Sequence, residues 1–140
     1  MNLYVDSSVV LRVVLAQPDA LDSWQAITRA ITSELTRVEC LRSIDRARMR
    51  FGLSDDAVAD QRADLLAVLN GVEVVPLTSA VLDRAAEPFP TLIGTRDAIH
   101  LASAGLIRDA VSDLGFATHD RELAVAARAT GFQVAGVALG

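Results

Sequence analysis

Lysine is absent from this 140-residue chain, so all 13 basic residues are arginine, and 18 acids bring the net charge to −5. A protein that grips nucleic acid mainly through phosphate contacts shows the opposite sign, which disfavours a plain nucleic-acid-binding module. The single cysteine, Cys40, excludes an internal disulfide, and with two histidines no Cys/His spacing suits zinc. Aromatics make up only 4% of residues against 51% apolar overall, so the core must be built of Val, Leu, Ile and Ala, as where helices pack on a sheet. No run reaches the ~18 continuous apolar residues of a membrane span, and no basic segment precedes an apolar stretch at the N-terminus. The expectation is a reducing cytoplasm, with no export signal and no membrane anchor. A Gly-rich phosphate loop, a Ser-His-Asp pattern and a catalytic Cys are also missing.

Alternating strand and helix signals run along the chain. Asn2 to Val5 read as a short buried strand, stopped by Asp6-Ser7-Ser8, good capping residues for a helix to about Leu15. Beyond Pro18, Leu21, Trp24, Ile27 and Ile31 recur at helical spacing up to an extended stretch near Ile31 to Ser33. An Arg-rich helix from about Glu34 to Arg50 ends at Gly52, and another, capped by Ser54, runs to Asn70-Gly71. Val72 to Val75 is a strand, Thr78 to about Glu87 a helix, and Pro88 and Pro90 force an irregular link. A nearly all-apolar helix from Thr95 to Arg108 reads as covered on most sides. A strand over Leu114 to Thr118, a helix over Arg121 to Thr130 and a strand over Phe132 to Val137 complete the chain. Without tight hairpins, this alternation predicts one three-layer α/β/α domain over residues 1–140, a parallel sheet flanked by helices.

In such a sheet, strand C-termini and helix N-termini meet at one edge, where ligands and chemistry gather. Asp6, Asp97 and Asp120 all fall there, while Glu39, one and a half turns into its helix, reaches the edge only if that helix tilts. Taken singly, Asp6 and Asp120 read as N-caps, Asp97 as a dipole complement and Glu39 as an i,i+3 partner of Arg42. Jointly, four acids in one cleft repel one another, a cost that makes sense around a cation. Carboxylates without Cys or a His cluster are hard donors suited to Mg²⁺ or Mn²⁺, which can activate water and neutralise charge on a phosphate. Ser7, Ser8 and Thr118 are candidate supporting hydroxyls. His100, one turn beyond Asp97, reads as a packed, hydrogen-bonded residue, and His119 as an exposed one. Arg96 is expected in solvent. Arg29, Arg37, Arg42, Arg46, Arg48 and Arg50 either meet phosphates bidentately or form a solvated face paired with Glu34, Glu39 and Asp45.

Four motifs in this order, Tyr4-Val5-Asp6-Ser7-Ser8, Leu35-Thr36-Arg37-Val38-Glu39, Arg96-Asp97-Ala98-Ile99-His100-Leu101-Ala102 and Thr118-His119-Asp120, resemble the PIN-domain family, particularly its VapC-like toxins. The resemblance implies a five-stranded parallel sheet of order 3-2-1-4-5, a site holding Mg²⁺ or Mn²⁺, and endonucleolytic cleavage of RNA. It carries catalysis and metal binding onto Asp6, Glu39, Asp97 and Asp120, with Ser7 and Thr118 at the supporting hydroxyl positions. It further implies a homodimer held inactive by a cognate VapB-like antitoxin, through which alone operator DNA would be bound. Arg96, directly before Asp97, departs from the commonest pattern.

Two rival readings are weaker. A phosphoryl-transfer enzyme with a nucleophilic Asp after its first strand would want a second acid two residues on, where Ser8 stands, and a positioned Lys, which the chain lacks. A non-catalytic PIN-like scaffold would have no reason to keep the full acidic set. On the nuclease reading, Asp6→Asn and Asp97→Asn are both expected to abolish cleavage while leaving the fold intact or steadier.

Overall fold

The computed structural model describes residues 1–138 and contains five strands and six α-helices. In chain order these are β1 (Asn2–Val5), α1 (Ser7–Val14), β2 (Arg29–Ser33), α2 (Glu34–Phe51), α3 (Asp55–Asn70), β3 (Glu73–Val75), α4 (Ser79–Ala85), α5 (Thr95–Ile107), β4 (Gly115–Ala117), α6 (Arg121–Ala129) and β5 (Val134–Ala135). All pairings are parallel and the strand order is β3-β2-β1-β4-β5, as the resemblance implied. The first strand therefore lies at the centre, with Tyr4 paired to Ile31 on one side and Phe116 on the other.

Alternation along the strands divides the core. Tyr4, Ile31 and Phe116 pack with Leu101, Leu123 and Phe132 under α5 and α6, whereas Leu3, Val5 and Ala117 pack with Val9, Val10, Cys40, Ile44 and Leu65 under α1, α2 and α3. Each fully buried Val, Leu or Phe contributes about 1.5–3 kcal/mol, and these two layers supply most of what holds the fold. Helix starts follow the capping rules: Ser33, Ser54, Thr78 and both Asp6 and Asp120 accept a backbone N–H from the turn they open. Gly52, at φ +62°, closes α2 in the left-handed conformation that suits glycine. Among the described residues no helix is long and apolar enough to cross a membrane.

The main departure from sequence expectation lies between α1 and β2. The helical spacing of Leu21, Trp24, Ile27 and Ile31 yields only a single 3₁₀ turn, Trp24–Ala26, and the extended stretch begins earlier, at Arg29. Pairing of Asn2 with Arg29 and Leu3 with Ala30 claims those residues for the sheet. The last strand shrinks to Val134–Ala135, because Gly136 turns to φ +98°. A Cβ there would fall 2.4 Å from the Thr118 carbonyl oxygen, so the tail can approach this rim of the sheet only as glycine.

Candidate active site

Two strand ends fix the first acid. The Asp6 N–H donates to the Ala117 carbonyl (3.2 Å), extending the β1–β4 ladder by one residue, and the Thr118 N–H does the same to Ala135 (3.0 Å). Asp6 is 4% exposed, and its carboxylate is well supplied with donors. Oδ1 accepts from the Ser8 hydroxyl (2.6 Å) and the Val9 N–H (3.1 Å), and Oδ2 from the Thr118 hydroxyl (2.5 Å). Those hydroxyls are themselves tethered, since Ser8 Oγ accepts the His119 N–H (3.0 Å) and Thr118 Oγ1 the Asp120 N–H (3.0 Å). Asp6 thus caps α1 and is also clamped across the sheet to the segment that starts α6. The hydroxyls on Asp6 belong to Ser8 and Thr118, while Ser7 contributes its carbonyl, which accepts from the Cys40 thiol at 3.7 Å.

Asp97 occupies the opening turn of α5, whose cap, Gly94, has no side chain to offer. Its carboxyl is pushed up to about 6, first by burial, then by the charges of Asp120 and Asp6 and, more weakly, Glu39. That field brings the four sequence-selected acids into one electrostatic neighbourhood. Asp120, exposed, accepts the Leu123 N–H at 3.1 Å and caps α6.

Glu39 reaches the rim by a link that spacing alone does not reveal. Its Oε1 lies 2.6 Å from His100 Nε2 and its Oε2 3.6 Å from the Arg96 guanidinium, so the i,i+3 partnership with Arg42 gives way to contacts with α5. His100 is 1% exposed, and its Nδ1 meets the Tyr4 hydroxyl at 2.8 Å. Burial above all, and then Asp6, raise the Tyr4 hydroxyl well above its ordinary value. The sequence reading of His100 as packed and hydrogen-bonded holds, whereas Tyr4 left no sign beyond sharing a strand face with Asp6, two residues on. Arg96 is exposed as expected, and its contact with Glu39 was not. His119 is half-buried rather than exposed, with Nδ1 2.9 Å from the Gly136 carbonyl oxygen.

Along the Arg-rich helix, Arg48 pairs with Asp45 (2.7 Å), but Glu34 turns away to accept the Leu77 N–H (2.8 Å). Burial pushes the Cys40 thiol up to about 12, which removes it as a nucleophile.

The donors at this rim are carboxylate oxygens, the type a hard divalent ion takes. Among the described residues no three His, Cys, Asp or Glu side chains stand close enough together to hold an ion as placed. The Asp97 carboxyl is raised first by burial and then by the charges of Asp120 and Asp6, and a cation beside it would offset both. The donor set therefore fits a divalent ion in its chemistry.

Comparison with known proteins finds relatives along nearly the whole chain. The family model described as PIN domain matches residues 3–129. Ribonuclease VapC47 of Mycobacterium tuberculosis is 31% identical over 140 residues, 95% of each chain. The crystal structure of VapBC2 from Rickettsia felis, bound to a DNA fragment from their promoter, superposes with TM-score 0.66 at 11% identity, covering 96% of this chain and 97% of that one. Mycobacterium tuberculosis VapC20, a sarcin-ricin loop cleaving toxin, superposes with TM-score 0.63 at 15% identity, covering 94% and 97%.

Proposed function

Because this chain belongs to the PIN-domain family, we propose that it is a metal-dependent endoribonuclease, the toxin of a VapBC-type toxin-antitoxin pair. The observation that carries the reading is that Thr118 ties Asp6 to the start of α6 at Asp120, beside the Asp97 carboxyl, which is raised to about 6 first by burial and then by those two charges. Acids held against mutual repulsion at the functional edge of an α/β sheet are the mark of a cation site. The similarity to Ribonuclease VapC47 along 95% of both chains supports RNA as the substrate.

Asp6, Asp97 and Asp120 would hold Mg²⁺ or Mn²⁺, with Glu39 as a further ligand or as the group that orients the attacking water. When bound, the ion supplies Lewis acidity toward the water and the scissile phosphate. The remaining work falls to the chain. Ser8 and Thr118 hold the Asp6 carboxylate in one orientation, so no reorganisation is needed when the substrate arrives. Glu39 accepts from His100, and Arg96, whose side chain is 70% exposed, stands beside it as a cation able to receive a phosphate oxygen. In-line attack by water leaves a 5′-phosphate and a 3′-hydroxyl.

The partners expected on this reading are a second copy of the chain, a cognate VapB-like antitoxin, and operator DNA through the antitoxin alone, all in the cytoplasm. The likeness to VapBC2 supports the antitoxin. Induced expression of wild type and Asp97→Asn, with mapping of RNA ends, tests the proposal. Wild type alone should arrest growth and leave new 5′-phosphorylated ends. Equal cleavage by both proteins, or by neither, removes the assignment.

A further inference from the structure

Glu39 is the acid that the backbone does least to position. It lies in the second turn of α2, beyond reach of a capping N–H, yet its side chain is only 13% exposed. What holds it is a line of three side chains from three elements: the Tyr4 hydroxyl on β1, the His100 ring on α5 and Oε1 of Glu39 on α2, joined at 2.8 and 2.6 Å. Tyr4 and His100 are 0% and 1% exposed, so water is no substitute at either nitrogen.

The line has a direction. A carboxylate only accepts, so Nε2 carries the proton it shares with Glu39; in the neutral ring Nδ1 is then an acceptor, and the Tyr4 hydroxyl donates to it. The Tyr4 ring is fixed in turn, stacked on Phe116 of β4 at 5.1 Å between centroids and meeting His100 edge-on at 5.9 Å. Tyr4 and Phe116 each lie two residues before a group of the Asp6 cluster, Asp6 itself and Thr118. The strands that clamp Asp6 therefore also set the Glu39 carboxylate, through His100. With Oε1 bonded to the buried ring, Oε2 is the oxygen left toward the rim, where among the described residues the exposed Arg96 guanidinium lies 3.6 Å from it.

We propose that Tyr4 and His100 are positioning residues for the reaction: they fix the tautomer of the ring and the rotamer of Glu39, so that the glutamate acts through Oε2 only. This rests on the ribonuclease reading above. It assigns a purpose to a buried histidine that packing alone would fill with leucine. Groups that orient a metal-site carboxylate in this way typically change metal affinity or activity by about 10- to 100-fold when removed.

Three variants test it: Tyr4→Phe, which keeps the stacked ring, His100→Gln, which keeps an N–H donor, and His100→Leu, which keeps neither nitrogen. Each is checked for cooperative melting, then for Mn²⁺ affinity by electron paramagnetic resonance and for steady-state cleavage of an RNA that wild type cuts. Expected are a fall in kcat of about 10-fold for Tyr4→Phe and about 100-fold for His100→Leu, with His100→Gln between them, and KM for RNA within about twofold. Mn²⁺ affinity should weaken in the same order. Folded Tyr4→Phe and His100→Gln that match wild type in both readouts would reduce the line to core packing and overturn the proposal.

Long-range ¹H–¹⁵N spectra of the metal-free protein give a reading independent of activity. A ring protonated at Nε2 and bare at Nδ1 is expected, and a proton on Nδ1 contradicts it. Should wild type cut no RNA, the ribonuclease reading falls by itself, and Tyr4→Phe is then judged on the ring spectrum and on Mn²⁺ affinity, where an unchanged value overturns the line.

Discussion

Asp6 and Asp97 sit at the same rim, share one electrostatic field and live in opposite circumstances. Asp6, where β1 meets β4, is buried and accepts three hydrogen bonds from groups that are themselves held. Asp97, at the mouth of α5, is half-buried behind a glycine cap, and its carboxyl is displaced upward to about 6. One acid is part of the scaffold and the other is strained against it. On the proposed reading, a site divided in this way keeps its shape through the first and would draw a cation through the second.

Cleavage offers the broadest test of that division. Asp6→Asn and Asp97→Asn should each lower RNA cleavage by at least about a hundredfold, since on the proposed reading either removes a metal ligand; retention of activity by one alone would show that only the other acid is needed. Next in size is the response to metal. Mn²⁺ at a hundred times its dissociation constant should stabilise the wild-type fold by about 2.7 kcal/mol, seen as a rise in Tm, and Asp97→Asn should blunt this response. No rise with the wild type would count against a cation site.

Thr118→Val probes the scaffold side. It keeps the shape, deletes the donor to Asp6 Oδ2 and the acceptor for the Asp120 N–H, and should cost about 2 kcal/mol in urea denaturation. By the same logic Asp6→Asn should destabilise, because an amide nitrogen cannot accept from the donors around it, whereas Asp97→Asn should raise the midpoint. The sequence alone led to an expectation of neutral or stabilising effects for both; the hydrogen bonds on Asp6 separate them.

The smallest effect is the pH profile. Asp97 titrates near 3.8 in the unfolded chain and about 6 when folded, so between those values the folded chain holds a proton the unfolded one has released. This group therefore favours folding at the acid end, and its contribution is lost as pH rises through about 6. Metal-free Asp97→Asn should show a flatter melting profile between about pH 4 and pH 6; a slope equal to that of wild type would place the repulsion elsewhere.

Much of this was legible in residue order. Asp6 and Asp120 could be set at strand ends because capping residues follow apolar stretches, and α5 announced itself by its apolar continuity. The connection from Pro18 to Thr28 was not legible, since Leu21, Trp24 and Ile27 satisfy a helical period by coincidence and pairing with β1 decides the outcome. The link between Tyr4 and Glu39 escaped for another reason. Their link runs through His100, 96 residues from one and 61 from the other, and no local pattern encodes which distant hydroxyl a histidine will meet. Ser8 rather than Ser7 bonds to Asp6 because the first turn of α1 brings the second serine back over its own cap.

The central position of β1 also governs when the site can come into being. Thr118, which grips Asp6, follows it by 112 residues, and β4 must be made before the sheet can close on that side. A growing chain accordingly carries its first acid without the partners that would make it a cutting edge. On the proposed reading, a ribonuclease synthesised on a machine built of RNA is thereby kept blunt by its own strand order until β4 has been made.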